Sequence, residues 1–151
     1  MRRALIVSTL VLALSGCGVV SDAVGPGEAT VFDLAVGDCL NDASETGDVS
    51  TVPVVECSEP HDSEVYAVIS MDDGDYPGDL AVTQLVDLQC RQEFEHFVGI
   101  PAAESKYQFA ALYPTEQSWG GGDREIVCRI ALIDENGAVE KVTGSLAGVA
   151  S

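Results

Sequence analysis

The sequence predicts an α+β domain: a small antiparallel sheet with one long helix packed on a face, held by two disulfides. Three observations predict it. A single stretch from about Leu80 to Val98 carries apolar residues at helical spacing, several shorter runs are rich in β-branched and aromatic residues, and four cysteines lie beyond the N-terminal segment. Strands gathered around one helix are the pattern of a sheet with the helix layered on it. At 46% hydrophobic the chain is too apolar to stay disordered despite its charge.

The N-terminus accounts for part of that apolar count without contributing to a core. Arg2 and Arg3 precede an apolar run of eleven residues, Ala4 to Leu14, and Leu14-Ser15-Gly16-Cys17 ends it. This order reads as a secretory signal over residues 1–16. As a helix the run would rise about 16 Å, roughly half the hydrocarbon thickness, which is too short for a permanent span. The Leu-Ser-Gly-Cys ending resembles the lipobox of bacterial lipoproteins, which implies that Cys17 becomes the lipidated first residue of the mature chain. The other reading is an ordinary secretory signal with an incidental cysteine. Residues 17–31, small and containing Gly25-Pro26-Gly27, suit a flexible tether. The folded domain is expected over residues 32–145, with residues 146–151 as a tail.

The remaining cysteines, Cys39, Cys57, Cys90 and Cys128, form an even set, as expected for two disulfides in an exported protein. Three pairings are open, of which Cys39–Cys57 and Cys90–Cys128 are favoured. Zinc is the rival use of four cysteines. It is disfavoured because none of them has C-x2–4-C spacing and an oxidising compartment removes the thiolates zinc needs.

Asp79 is placed as N-cap of the helix, and Gly99 with Pro101 ends it. Val82, Leu85, Val86, Cys90, Phe94 and Phe97 make the core-facing stripe, while Asp87, Gln89, Arg91, Gln92 and Glu95 face water or the flank. Strands are expected over Val52–Cys57, Glu64–Met71, Tyr107–Tyr113, Glu125–Asp134 and Val139–Ser145, with an edge strand in the stretch from Phe32 to Leu40. Asn136-Gly137 signals a hairpin, since both residues tolerate positive φ. Cys90 on the helix and Cys128 on a strand would clip the two layers together.

Charge excludes some partners. With 7 Lys+Arg against 25 Asp+Glu, the formal charge is −18, and loss of Arg2 and Arg3 with the signal takes it to −20. Nucleic acid needs the opposite sign, and an anionic bilayer would repel the body of the domain. The chain has no Gly-x-Ser-x-Gly, Walker, dinucleotide or His-Glu-x-x-His pattern, so no catalytic residue, cofactor or metal is assigned.

Two histidines are present. His96 with Glu93 is a fragment of a di-iron motif that requires further copies on other helices, so a solvated helix terminus is the simpler account. His61 stands in a turn beside Asp62 and Glu64, either as a ligand or acid/base or as a histidine hydrogen-bonded to its loop. Asp72-Asp73-Gly74-Asp75 misses the EF-hand register and reads as a turn before the helix. The stretch Pro114 to Arg124 holds the only Trp and three consecutive glycines. Trp119, Asp123 and Arg124 would there form a mobile recognition loop, or Trp119 would fold back as the lid of a small core while Arg124 pairs with an acid. His61, Trp119, Asp123 and Arg124 are therefore the candidate contact residues.

Together these segments resemble a known family. Gly37-Asp38-Cys39, Cys57-x-x-Pro60-His61-x-x-Glu64-Val65, Cys90 with Phe94, and Pro114-Thr115-x-x-Ser118-Trp119-x-x-Gly122-Asp123-Arg124-x-x-x-Cys128 resemble the septum formation domain of actinobacterial envelope proteins. The resemblance covers about Phe32 to Gly144. It implies an extracytoplasmic domain tethered by lipid or a transmembrane helix and linked by name to the division septum, and it carries no catalytic residues. The expectation is a lipid-anchored interaction domain on the outer face of the cytoplasmic membrane, with division proteins, other envelope proteins or cell-wall material as partners. A cell-wall hydrolase would need His61, Glu64 and Asp123 to converge in a cleft; a small-ligand carrier would need a cavity beneath the helix.

Overall fold

The computed structural model describes residues 27–44 and 49–149. The segment expected as a signal, Cys17 and the expected tether up to residue 26 lie outside the described residues. The chain runs through β1 (Glu28–Thr30), β2 (Cys39–Leu40), β3 (Thr51–Val55), β4 (Ser63–Ser70), α1 (Asp79–Val98), β5 (Tyr107–Leu112), α2 (Glu116–Gly120), β6 (Glu125–Ile133) and β7 (Val139–Glu140). Among the described residues these strands form one antiparallel sheet, ordered β1-β3-β2-β4-β6-β5, with β7 against β6.

Strand periodicity gives the sheet two distinct faces. On β6, Ile126, Cys128 and Ile130 turn to the α1 side, where they meet Cys90, Phe94 and Val98. Val127, of opposite parity, packs with Leu34, Leu40, Val52 and Val65 in a second core. A bulge in β4 between Val65 and Ala67 brings both Tyr66 and Ala67 to the helix side. The Tyr66 hydroxyl donates to the Cys90 carbonyl at 2.8 Å, and its ring meets Phe94 edge-on at 5.9 Å. Burial pushes the Tyr66 phenol well above its ordinary pKa.

Helix α1 buries Val82, Cys90, Phe94 and Val98, and Gly99 ends it at φ 95°, a left-handed position glycine adopts without strain. Its N-cap is Gly78 rather than Asp79. The Asp79 carboxylate accepts the Tyr76 hydroxyl at 2.7 Å instead of capping a backbone N–H. Both expected disulfides are present: Cys39–Cys57, spanning 18 residues, and Cys90–Cys128, spanning 38 and joining α1 to β6.

Several short elements depart from the sequence expectation. Cys39–Leu40 lies between β3 and β4 rather than at an edge, and Val31–Asp33 is a 3-10 turn. Pairing of Glu28–Thr30 with Pro53–Thr51 makes a strand inside the stretch assigned to the tether. Leu146, at the start of the assigned tail, is buried in the helix-side core, and Gly148 donates to the last turn of α1 at Phe97 O, 2.8 Å. In the β6–β7 hairpin only Gly137 has positive φ. Asp134 shapes that turn by accepting from the Asn136 and Ala138 backbone N–H groups at 2.8 Å each, which holds its carboxyl below the ordinary range.

Candidate functional site

The entry to β4 contains buried polar side chains. Within Pro60 to Glu64, His61 is fully buried, and Asp62, Ser63 and Glu64 are nearly so. A two-way backbone bridge to Val142 places His61, whose Nδ1 lies 2.9 Å from the Glu59 carbonyl oxygen. Its Nε2 has no hydrogen-bond partner among the described residues. Glu64, opposite Cys39 in the ladder, accepts from the Ser145 hydroxyl at 2.8 Å and from the Leu146 N–H at 2.5 Å. Cys39, His61 and Glu64 each offer one ligand atom, all within 4.8 Å of one another. Cys39, however, is committed to its disulfide and is no thiolate, which leaves two ligands where a closed zinc site takes four. In this state the cluster ties the C-terminal segment to the sheet.

Strand parity sends Ser63 the other way. Its hydroxyl donates to Asp42 at 2.8 Å, and Asp42 pairs with Arg129 of β6. Desolvation lowers the pKa of the Arg129 guanidinium. Beside this pair, Lys141 bridges Asp62 at 2.7 Å and Asn41 at 2.5 Å.

The stretch from Pro114 to Arg124 is ordered by its own sequence. Thr115 and Ser118 make reciprocal capping bonds, so Glu116–Gly120 forms a short helix, α2, where the sequence reading allowed a mobile loop. Trp119 is buried, and its indole N–H donates to the Gly74 carbonyl at 2.9 Å. Arg124 lies 3.8 Å over the indole ring and reaches Asp73 at 3.3 Å. Trp119 is thus a lid over the turn before α1 and not a displayed contact. Asp123 Oδ1 accepts from the Glu125 N–H at 3.2 Å.

A cleft of about 510 Å³ opens on the sheet face opposite α1. Leu112 and Val127 line its apolar part; Asp123, Glu125 and Arg129 line its polar part. Phe32 and Tyr113 also border it, and they are 57% and 42% exposed. Asp123 alone of the four expected contact residues lines this cleft. His61 and Glu64 lie together elsewhere, so these two and Asp123 do not converge in one cleft, and this cleft is on the face opposite the helix rather than beneath it. The sequence reading missed Phe32, Tyr113 and Arg129. Their only signal was position, an aromatic at each of two element ends and a cation within an apolar strand. Among the described residues no helix is long and apolar enough to cross a membrane.

The chain is 33% identical over 98 residues to "Putative lipoprotein LppN" of Mycobacterium tuberculosis (strain ATCC 25618 / H37Rv), and equally to the protein of that name in Mycobacterium bovis (strain ATCC BAA-935 / AF2122/97). Each match covers 62% of this chain and 51% of the relative, so the chain spans about half the length of the curated relatives it matches. No solved structure matches it. The family model for septum formation matches residues 36–151, from the segment before β2 through the C-terminus, and the chain belongs to that septum formation family.

Proposed function

We propose that this protein is an exported envelope lipoprotein, anchored through Cys17, whose folded domain serves septum or cell-wall biology as a binding module. The family membership and the lipoprotein relatives support the envelope assignment, and the Leu-Ser-Gly-Cys segment supports the anchor. One observation carries the binding role: the cleft opposite α1 has an apolar wall, a polar floor and two exposed aromatic rings at its border. Binding sites combine an apolar surface with a few placed polar groups in this way. Diacylation gives the two hydrophobic signals that stable anchoring takes, while the formal charge of −20 left after loss of Arg2 and Arg3 keeps the body off an anionic surface.

Two experiments test this reading. Cys17→Ser should move the protein from the membrane fraction to the medium or soluble fraction; quantitative retention in the membrane contradicts the anchor. A photo-crosslinking amino acid at Tyr113 in living cells should yield adducts with division proteins, envelope proteins or wall material. A chain labelled at that position that stays adduct-free contradicts the cleft as the binding surface.

A further inference from the structure

We propose that the cleft opposite α1 is a saccharide site, taking a neutral or amine-bearing sugar chain. The inference deepens, and rests on, the reading of that cleft as the binding surface. Five large apolar side chains are exposed among the described residues, and two of them, Phe32 and Tyr113, border this one cleft. Aromatic faces left in water beside a concave wall call for a flat partner. A sugar ring offers such a partner: its C–H face is slightly positive, matching the negative face of an aromatic ring, and its rim carries hydroxyls. Asp123, Glu125 and Gln117 on the polar side accept from or donate to such a rim. Arg129, whose side chain is one-fifth exposed, also lines the cleft and can donate from its guanidinium to a hydroxyl oxygen.

Charge narrows the class. Asp42 neutralises Arg129 from behind, so the sign of the cleft is set by Asp123 and Glu125 and is negative. An anionic ligand is opposed there and by the chain as a whole. A wholly apolar ligand would strip water from those carboxylates without replacing their hydrogen bonds. The volume, about 510 Å³, lies within the range of small-ligand sites and admits a short oligosaccharide.

The test uses the full-length chain in detergent micelles, titrated calorimetrically with three oligosaccharides. These are N-acetylglucosamine tetramer, its de-acetylated amine form, and an anionic galacturonate tetramer. The neutral or amine tetramer should bind, and the anionic one should not. Replacing both aromatics, Phe32→Ala with Tyr113→Ala, should weaken binding about ten-fold or more while the variant stays fully folded at the titration temperature, and Glu125→Gln should weaken the amine form most. Preferential binding of the anionic tetramer overturns the proposal, as does sugar binding that ignores both sets of substitutions. If no sugar binds while the crosslinker at Tyr113 still captures a peptide or lipid, the ligand class is wrong and the cleft reading stands. If neither sugar binding nor crosslinking occurs, both readings fall.

Discussion

The two faces of the sheet are built from alternate residues of the same strands, yet they are finished differently. On one face α1 closes with Phe94 over Tyr66, Ile126 and Ile130, and the Cys90–Cys128 disulfide locks helix to strand. On the other, the β1–β3–β2 segment covers Val65 and Val127 but leaves Leu112, Tyr113 and Arg129 on an open cleft. A 20-residue helix saturates a small sheet; strands of two to five residues cannot. One face is therefore fully covered, and the other keeps an open cleft beside its smaller core. Substitutions on the two faces should accordingly differ in what they damage.

The largest effect is expected from Phe94→Ala, which empties a fully buried site against Tyr66 and Phe109. Urea unfolding should show a loss of roughly 3–5 kcal/mol. Replacing Cys90 and Cys128 by alanine releases a 38-residue loop and should cost about 4 kcal/mol, against about 3 kcal/mol for Cys39 and Cys57 with their 18-residue loop. If the order of these two disulfides is reversed, the helix-face clip is not the stronger staple.

A smaller effect is expected at the polar floor of the second face. Asp42→Ala strands the Arg129 guanidinium, which is only 20% exposed, and should cost about 2–3 kcal/mol. Arg129→Met with Asp42→Ala should recover much of that loss, because no charge is then left unpaired.

How much of this was legible beforehand follows from element length. Helix α1, β4 and β6 were readable because each carries enough residues for its period to show, and the acid-to-base imbalance told the field of the surface directly. β1, β2 and β7, of two or three residues each, carry too few residues to show a period, so β1 was not expected and β2 and β7 fall inside stretches expected as longer strands. The cleft was illegible for a related reason. Its wall is drawn from stretches around residues 31–32, 49–50, 111–118 and 123–129, which only the folded sheet brings together. Trp119 stood out by rarity but is spent on covering the turn at Gly74, whereas the commonplace Phe32 and Tyr113 are the rings left exposed.

A pH measurement separates the approach to α1 from both faces. The hydrogen bond from Tyr76 to the Asp79 carboxylate, followed by desolvation, raises the Tyr76 phenol from 10.0 to about 12. The neutral phenol is the favoured form, so this contribution is complete below the unfolded pKa near 10 and is lost as pH rises toward 12. In an ultraviolet titration of the folded chain, Asp79→Asn should bring one phenolate transition to lower pH. An unmoved curve would show that the bond is not formed in solution.

The smallest stability effect is expected for Phe32→Ala with Tyr113→Ala, within roughly 0.5 kcal/mol of the parent for each exposed ring. A drop as large as that of Phe94→Ala would erase the distinction between the faces.

The division of labour is tested most directly by in-cell photo-crosslinking from two exposed positions run in parallel, Tyr113 on the cleft and Leu88 on the outer surface of α1. The account predicts adducts from position 113 and none from position 88. Adducts from 88 alone, or equal capture from both, would contradict it.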